Sequence, residues 1–182
     1  MTTVPVKAAT RVVLPLSVGA AVAIGLGLYG RLHQPTGVAI NVAGFSSARS
    51  VKTWLATLAL LLGVAQLVSA LALFGHIRPL AGRRWLGPVH RWTGRAAVAV
   101  TLPVAAHCLY ALGFEYDQPR ILLHSVLGCF FFGAFAAKML TLSRDDSPRW
   151  LLPVVGGAVF AGLVGLWLTS SLWFFTTFGI IR

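Results

Sequence analysis

The chain has 182 residues, of which 57% are hydrophobic and 10% are charged, and its mean hydropathy is +0.82. So little polar surface cannot cover a soluble globule of this length, which indicates that the lipid bilayer is the solvent. The formal net charge of +11 would suggest a nucleic-acid partner in a soluble protein. Here the basic residues lie between apolar runs, where they act as topology signals and contact lipid headgroups, so we expect no nucleic-acid partner.

Five apolar runs predict an all-α, polytopic bundle of five transmembrane helices. The runs are Val12 to Tyr29, Trp54 to Phe74, Ala96 to Leu112, Ile121 to Leu142 and Leu151 to Phe178. The third reaches the ~20 residues that cross a bilayer core only if its helix begins near Val89. The fifth exceeds a ~30 Å core by about a third, so we expect it to tilt or to project from the membrane. Because no linker separates the runs, residues 1–182 are predicted to form a single transmembrane domain.

The first apolar run is expected to remain as a membrane helix. Lys7 and Arg11 precede it as basic residues precede a signal peptide, but it continues to Tyr29 without a small-x-small cleavage pattern. A cytoplasmic N-terminus would place ten basic residues inside and five outside, which favours that orientation. The inner set is Lys7, Arg11, Arg78, Arg83, Arg84, Arg91, Arg95, Lys138, Arg144 and Arg149, and the outer set is Arg31, Arg49, Lys52, Arg120 and Arg182. The tryptophans expected at the inner interface are Trp85, Trp92 and Trp150.

Three histidines, His90, His107 and His124, lie in one membrane-embedded stretch, whereas no carboxylate lies inside an apolar run. An imidazole in a membrane helix is costly unless it pairs, lines water or binds something, and neutral imidazole is a good ligand for haem iron. His107 lies six residues before Gly113, and His124 lies three after Ile121. The two are therefore roughly 9 Å and 5 Å from the same membrane edge, which makes them the predicted iron-binding pair.

A second pair of histidines is predicted at the opposite, cytoplasmic edge. His76 ends the second run and His90 precedes the third, so these two are the alternative haem ligands. The fourth run offers one histidine and the fifth offers none, which favours one haem over two. Gly94 and Gly128 each follow a candidate histidine by four residues and would leave a recess for a flat macrocycle on the same helix face.

Each candidate histidine also has a purely structural interpretation. An imidazole within the membrane can be satisfied by a hydrogen bond to a neighbouring helix, and the candidate partners are Thr101, Gln66 and Ser125. Gln66 itself is expected to hold helices together, and His33 is expected to be a solvated loop residue. Cys108 and Cys129 lie in apolar runs without a CxxC or CxxCH motif, so we expect them to be packing residues.

Residues 88–140 carry short motifs that resemble those of ferric-reductase-like and cytochrome b561-like membrane haem proteins. The motifs are His90-Arg91-Trp92-Thr93-Gly94-Arg95, then His107-Cys108-Leu109-Tyr110, and then His124-Ser125-Val126-Leu127-Gly128. The resemblance implies a helical bundle that holds haem b between histidines and passes electrons across or within the membrane. The chain is also similar to small bacterial membrane proteins of unassigned function, which implies a bacterial plasma membrane location. A flavin or nicotinamide site would belong to a redox partner or to another membrane subunit.

The residue types found inside the apolar runs also bear on other classes of function. A proton-coupled transporter normally has Asp or Glu within the membrane, and here all four acidic residues lie between the runs, which makes a small transporter the lesser alternative. A structural or assembly subunit of a larger membrane complex needs no site, so it remains the main alternative. The GxGxxG pattern from Gly25 to Gly30 lies inside an apolar run with no strand before it, so it does not predict nucleotide binding. If the chain belongs to an enzyme, it is at most an electron-transfer, oxidoreductase component.

Overall fold

The computed structural model describes residues 6–38 and 45–180, with side chains from Thr10 onward. Every regular element in these ranges is helical, as the apolar runs predict. The helices are α1 (Val6–Leu32), α2 (Ala48–Leu73), α3 (Leu86–His107), α4 (Pro119–Leu142), α5 (Leu151–Trp167) and α6 (Trp173–Phe178). A π-helical turn, Cys108–Leu112, continues α3, and a second, Leu168–Leu172, joins α5 to α6.

Five helical segments are long and apolar enough to cross a membrane, which confirms a multi-pass helical architecture. The segments are Thr10–Leu32, Ala48–Leu73, Leu86–Leu112, Pro119–Leu142 and Leu151–Phe178. Large apolar side chains such as those of Ile24 and Leu61 are more than half exposed. In water such a surface would be unfavourable, whereas in a bilayer it faces lipid.

Helix ends account for the differences between the predicted and observed spans. The second helix begins six residues before Trp54, because the Ser47 hydroxyl accepts a hydrogen bond from Ser50 N and caps the first turn. Arg49 and Lys52, which precede the predicted second span, are therefore helical. The third helix begins at Leu86, which supplies the length that the third apolar run lacked.

The described residues group into two compact units, which are considered separately. Unit 1 comprises residues up to Gln34 and Gly113–Leu166, and unit 2 comprises Pro35–Leu112 and the residues from Trp167 onward. In unit 1, α1 and α4 cross at two glycines. A Cβ added at Gly19 would lie 2.6 Å from Gly133 O, and one added at Gly133 would lie 2.5 Å from Gly19 O. Only glycine permits so close a backbone contact, so these two positions let α1 and α4 pack against each other.

Polar contacts fasten the ends of the unit 1 helices. Arg11 at the start of α1 pairs with Asp146, at 3.2 Å from Nε to Oδ2, and Arg144 contacts the same carboxylate. At the opposite end of α1, Phe114 N donates to Gly30 O at 2.8 Å. Both ends of the α1–α4 pair are thereby tied to the connecting segments.

Unit 2 is held by interhelical hydrogen bonds as well as by apolar packing. Trp167 Nε1 donates to Thr57 Oγ1 at 3.0 Å, and the buried Ser171 hydroxyl donates to Thr53 O at 3.2 Å. These two bonds tie the last part of the fifth span to α2. In hydrocarbon, unsatisfied polar groups are costly, so such bonds also favour a single register of the two helices.

Candidate functional site

A cluster of polar side chains joins α2 to α3 within unit 2. Its members are Gln66, Ser69, His90 and Thr93, and we call it the α2–α3 polar cluster. Gln66 and Ser69 are three residues apart, as are His90 and Thr93, so each pair lies on one face of its helix. The two faces meet, and polar atoms that would be costly in an apolar span contact each other.

Ser69 fixes the orientation of the His90 imidazole. Its Oγ lies 2.7 Å from His90 Nδ1 and also donates to Ala65 O at 2.7 Å, and its side chain is buried. A hydroxyl has one hydrogen, so when that hydrogen is directed to Ala65 O the imidazole Nδ1–H donates to Oγ. That tautomer carries the lone pair on Nε2. Histidines that bind metals are commonly held in this way, with the second ring nitrogen donating to an oxygen.

Gln66 binds the backbone and the side chain of α3 at the same level. Its Nε2 donates to Thr93 Oγ1 at 2.6 Å and to the carbonyl oxygen of His90. The Thr93 hydroxyl in turn donates to Val89 O at 2.8 Å. The prediction that Gln66 holds helices together is confirmed by these contacts.

The recess at Gly94 accommodates Gln66 and not a macrocycle. A Cβ added at Gly94 would lie 3.0 Å from Gln66 Oε1 and 3.2 Å from Gln66 Cδ. The prediction that Gly94 leaves room for a flat ligand is therefore wrong, because the glycine lets the amide side chain approach the helix. At Gly128 the nearest such atom is Leu166 Cδ2, at 4.0 Å, so the recess beside His124 is not filled in the same manner.

His107 and His124, the predicted iron-binding pair, belong to different units. His107 is the last residue of α3 before the π-helical turn, is half-buried, and lies within electrostatic range of Lys52. His124 lies in the second turn of α4 and is also half-buried. Their pairing stays a prediction from membrane depth.

The hydroxyl groups suggested as partners of these two histidines bond elsewhere. Thr101 Oγ1 donates to Val98 O, within its own helix, at 2.8 Å. Ser125 Oγ donates to Glu115 O at 3.0 Å and so ties the segment before α4 to that helix. Both bonds satisfy these hydroxyls locally. The spacing of residues in the sequence does not predict which acceptor each hydroxyl uses.

The two remaining histidines lie just outside helices. His76 is exposed in the turn after α2, where its backbone N–H donates to Leu71 O at 2.9 Å. His33 follows α1 and stacks on Tyr29, with ring centroids 5.1 Å apart. His33 is therefore half-buried and held by an aromatic ring, whereas we expected a solvated residue.

Within unit 2, the positions of the histidines exclude one pairing. His90 and His107 are 17 residues apart on a helix that stays α-helical through Pro103, which is a separation of roughly 25 Å. They cannot bind one iron. His76 and His90 flank the same α2–α3 connection, so the predicted edge pair remains available within this unit. Among residues 6–38 and 45–180, no three His, Cys, Asp or Glu side chains gather as a metal-binding group.

Ser69 and Thr93 are the members of the α2–α3 polar cluster that sequence reasoning missed. A signal was present, since one polar pair with i, i+3 spacing lies in the second apolar run and another lies just before the third. Such pairs place two hydrogen-bonding groups on one helix face, where a neighbouring helix can satisfy both.

The fold and the cluster define a polytopic α-helical membrane protein with an imidazole held between two spans. The chain belongs to a family of unknown function, DUF6529, whose model matches residues 12–182. Searches of curated proteins and of solved structures found no match.

Proposed function

We propose that this protein is a membrane b-type cytochrome-like electron carrier that binds haem b through histidines. The observation that carries the proposal is the anchored imidazole of His90, whose Nδ1 lies 2.7 Å from the Ser69 hydroxyl. A neutral, oriented imidazole within an apolar span is the donor that haem b iron takes. When bound, the haem supplies a centre that accepts and releases one electron.

His90 is the ligand that the geometry favours, and His76 is its proposed partner. Both flank the α2–α3 connection, whereas the outer pair, His107 and His124, is supported by depth alone. Ser69 is the positioning residue, because it holds the ring nitrogen that would face away from the iron. Gln66 and Thr93 keep α2 and α3 in register, so that the imidazole stays at a fixed height.

We also propose an orientation and a membrane location for the chain. Ten basic residues on one side of the spans against five on the other favour a cytoplasmic N-terminus. This orientation places the α2–α3 connection, with His76 and His90, at the cytoplasmic side of a bacterial plasma membrane. Electrons would then enter or leave the protein at that side, through a redox partner or another membrane subunit.

A second function, as a structural subunit of a larger membrane complex, is favoured by a specific observation. Gln66 donates to both the backbone and a side chain of α3, and it fills the recess at Gly94. These contacts would clamp α2 to α3 in the absence of any cofactor. A protein with this role needs the cluster for assembly and does not need haem.

Substitution of Ser69 distinguishes a haem-binding electron carrier from a structural subunit. Ser69→Ala removes the bond to Nδ1, and loss of such an orienting group weakens binding at a metal centre by about 10–100-fold. Ser143→Ala is the matched control, because Ser143 also donates to the carbonyl four residues earlier but contacts no imidazole. Haem titration followed by absorption should show weaker binding for Ser69→Ala alone.

Histidine substitutions then identify the ligands. His90→Ala should abolish the low-spin haem spectrum, and His33→Ala should leave it unchanged. If His107→Ala and His124→Ala abolish the spectrum while His90→Ala retains it, the outer pair holds the haem and the assignment of His90 is wrong. If haem binds with the same spectrum in these four variants and in His76→Ala, histidine ligation is wrong.

A further inference from the structure

A surface of exposed arginines and tryptophans surrounds the beginning of α3. Its members are Arg83, Arg84, Trp85, Arg91, Trp92 and Arg95, and we call it the α3 basic surface. All six side chains are exposed, with Trp85 at 51% and Trp92 at 66%. Aromatic rings and guanidinium groups together are typical of the level at which lipid headgroups meet the hydrocarbon.

Two guanidinium groups lie along one face of this surface. Arg91 and Arg95 are four residues apart, so they are neighbours on the helix and repel each other. Arg95 lies over the Trp92 ring, with its Cζ 5.0 Å from the ring centroid. Arg91 extends back toward the helix start, where a Cβ at Gly87 would lie 3.5 Å from its NH1. Trp92 thus supports the Arg95 guanidinium, and the absence of a side chain at Gly87 leaves room for that of Arg91.

No carboxylate within unit 2 neutralises these charges. Residues 35–112 and 167–182 contain no Asp or Glu, since the four acidic residues of the chain are at positions 115, 117, 145 and 146. In the part of the chain that the structure describes, no carboxylate forms an ion pair with Arg91 or Arg95. By contrast, two arginines of unit 1 share Asp146.

We propose that the α3 basic surface binds the phosphodiester headgroup of an anionic phospholipid. A planar guanidinium binds phosphate oxygens through two parallel hydrogen bonds, and two such groups one helical turn apart can hold one headgroup. Trp92 and Trp85 would contact the glycerol and the upper acyl chains beside it. The basic residues of the α3 basic surface are all arginines. A guanidinium recognises phosphate by its planar shape as well as by its charge.

Lipid binding to the purified, full-length protein tests this proposal. Native mass spectrometry from neutral detergent micelles would count phosphatidylglycerol and phosphatidylcholine molecules retained during titration of each lipid. An arginine that contacts the bound headgroup contributes about fivefold in affinity, so Arg91→Gln with Arg95→Gln should weaken phosphatidylglycerol binding by about 25-fold. Phosphatidylcholine has the same phosphodiester, but the two arginines repel its choline cation, so its binding should change much less, which also reports that the variant is folded.

A matched control lies in unit 1. Arg149 is exposed and precedes the exposed Trp150, so Arg149→Gln removes the same charge from a similar setting. The proposal expects Arg149→Gln to bind phosphatidylglycerol within about twofold of the unmodified protein. A loss of about fivefold in the Arg149 variant, equal per arginine to the loss in the double variant, would show diffuse attraction to net charge and would overturn the site.

Two further arms identify what the site recognises. Arg91→Lys with Arg95→Lys keeps both charges but loses the planar fork, so it should bind phosphatidylglycerol at least about threefold more weakly. Full binding by the lysine variant would contradict recognition through guanidinium groups. Inorganic phosphate at the same concentration should not displace the lipid, because it lacks acyl chains. Displacement would show that the surface binds a free anion, and the lipid assignment would be wrong.

Discussion

The crossing of α1 and α4 gives the sharpest prediction about packing in unit 1. Gly133→Ala would place a Cβ 2.5 Å from Gly19 O and 2.8 Å from Ala23 Cβ, whereas an ordinary contact begins at 3.4 Å. The helices would have to separate by about 0.9 Å, which is 3.4 minus 2.5. Such overpacking costs about 1–3 kcal/mol, and the lost close contacts add to it.

We therefore expect Gly133→Ala to lower the free energy of unfolding by about 2 kcal/mol. Unfolding in mixed micelles with increasing anionic detergent, followed by circular dichroism, would measure this change. Gly25→Ala is the matched control in α1, because nothing lies within 4 Å of a Cβ at Gly25. The control should be neutral or slightly stabilising, by up to about 1 kcal/mol, since alanine favours helix.

The double variant Gly19→Ala with Gly133→Ala sharpens the test. Both substitutions act on one contact, so the second should cost less than the first once the helices have separated. If Gly133→Ala is as stable as Gly25→Ala, the backbone contact between α1 and α4 does not exist as described. If the two costs add fully, the glycines act at independent sites.

Three further predictions concern unit 2 and the orientation of the chain. Gln66→Leu should destabilise the α2–α3 pair by about 1–2 kcal/mol in the same assay, because it leaves polar atoms of α3 without their donor. No loss of stability would show that Gln66 does not hold α2 to α3. Trp167→Phe removes the bond to Thr57 and should cost about 1 kcal/mol, and Thr57→Val should cost less when added to Trp167→Phe than it does alone, because one of the two bonds of the Thr57 hydroxyl is already lost. In a background without native cysteines, Glu115→Cys should react with an impermeant thiol reagent from outside the cell, whereas Arg84→Cys should be protected; the reverse result would invert the topology.

Hydropathy was sufficient to predict the five spans, because each run needs only enough apolar residues to cross a bilayer. The ends were less predictable. Helix α2 begins at Ala48 because Ser47 caps it. Its first turns contain Arg49 and Lys52, so hydropathy alone predicts a later start for the helix. The π-helical turn after His107 has no periodic signature in the sequence, since it depends on local backbone geometry.

The polar contacts were predictable in kind but not in partner. Gln66 was expected to join helices because an amide in an apolar span needs a partner. The identity of that partner depends on the rotation and height of α2 against α3, which periodicity does not fix. For the same reason Gly94 was assigned to a ligand, although the side chain that approaches it comes from the neighbouring helix.

The absorption spectrum of the purified protein, produced with an adequate supply of haem, shows whether the protein binds haem b. It would be recorded in the oxidised state and again after reduction with dithionite. We expect paired sharp bands in the reduced state, as low-spin haem b with two histidine ligands requires. A featureless spectrum from correctly folded protein would contradict haem binding and would favour the structural-subunit alternative.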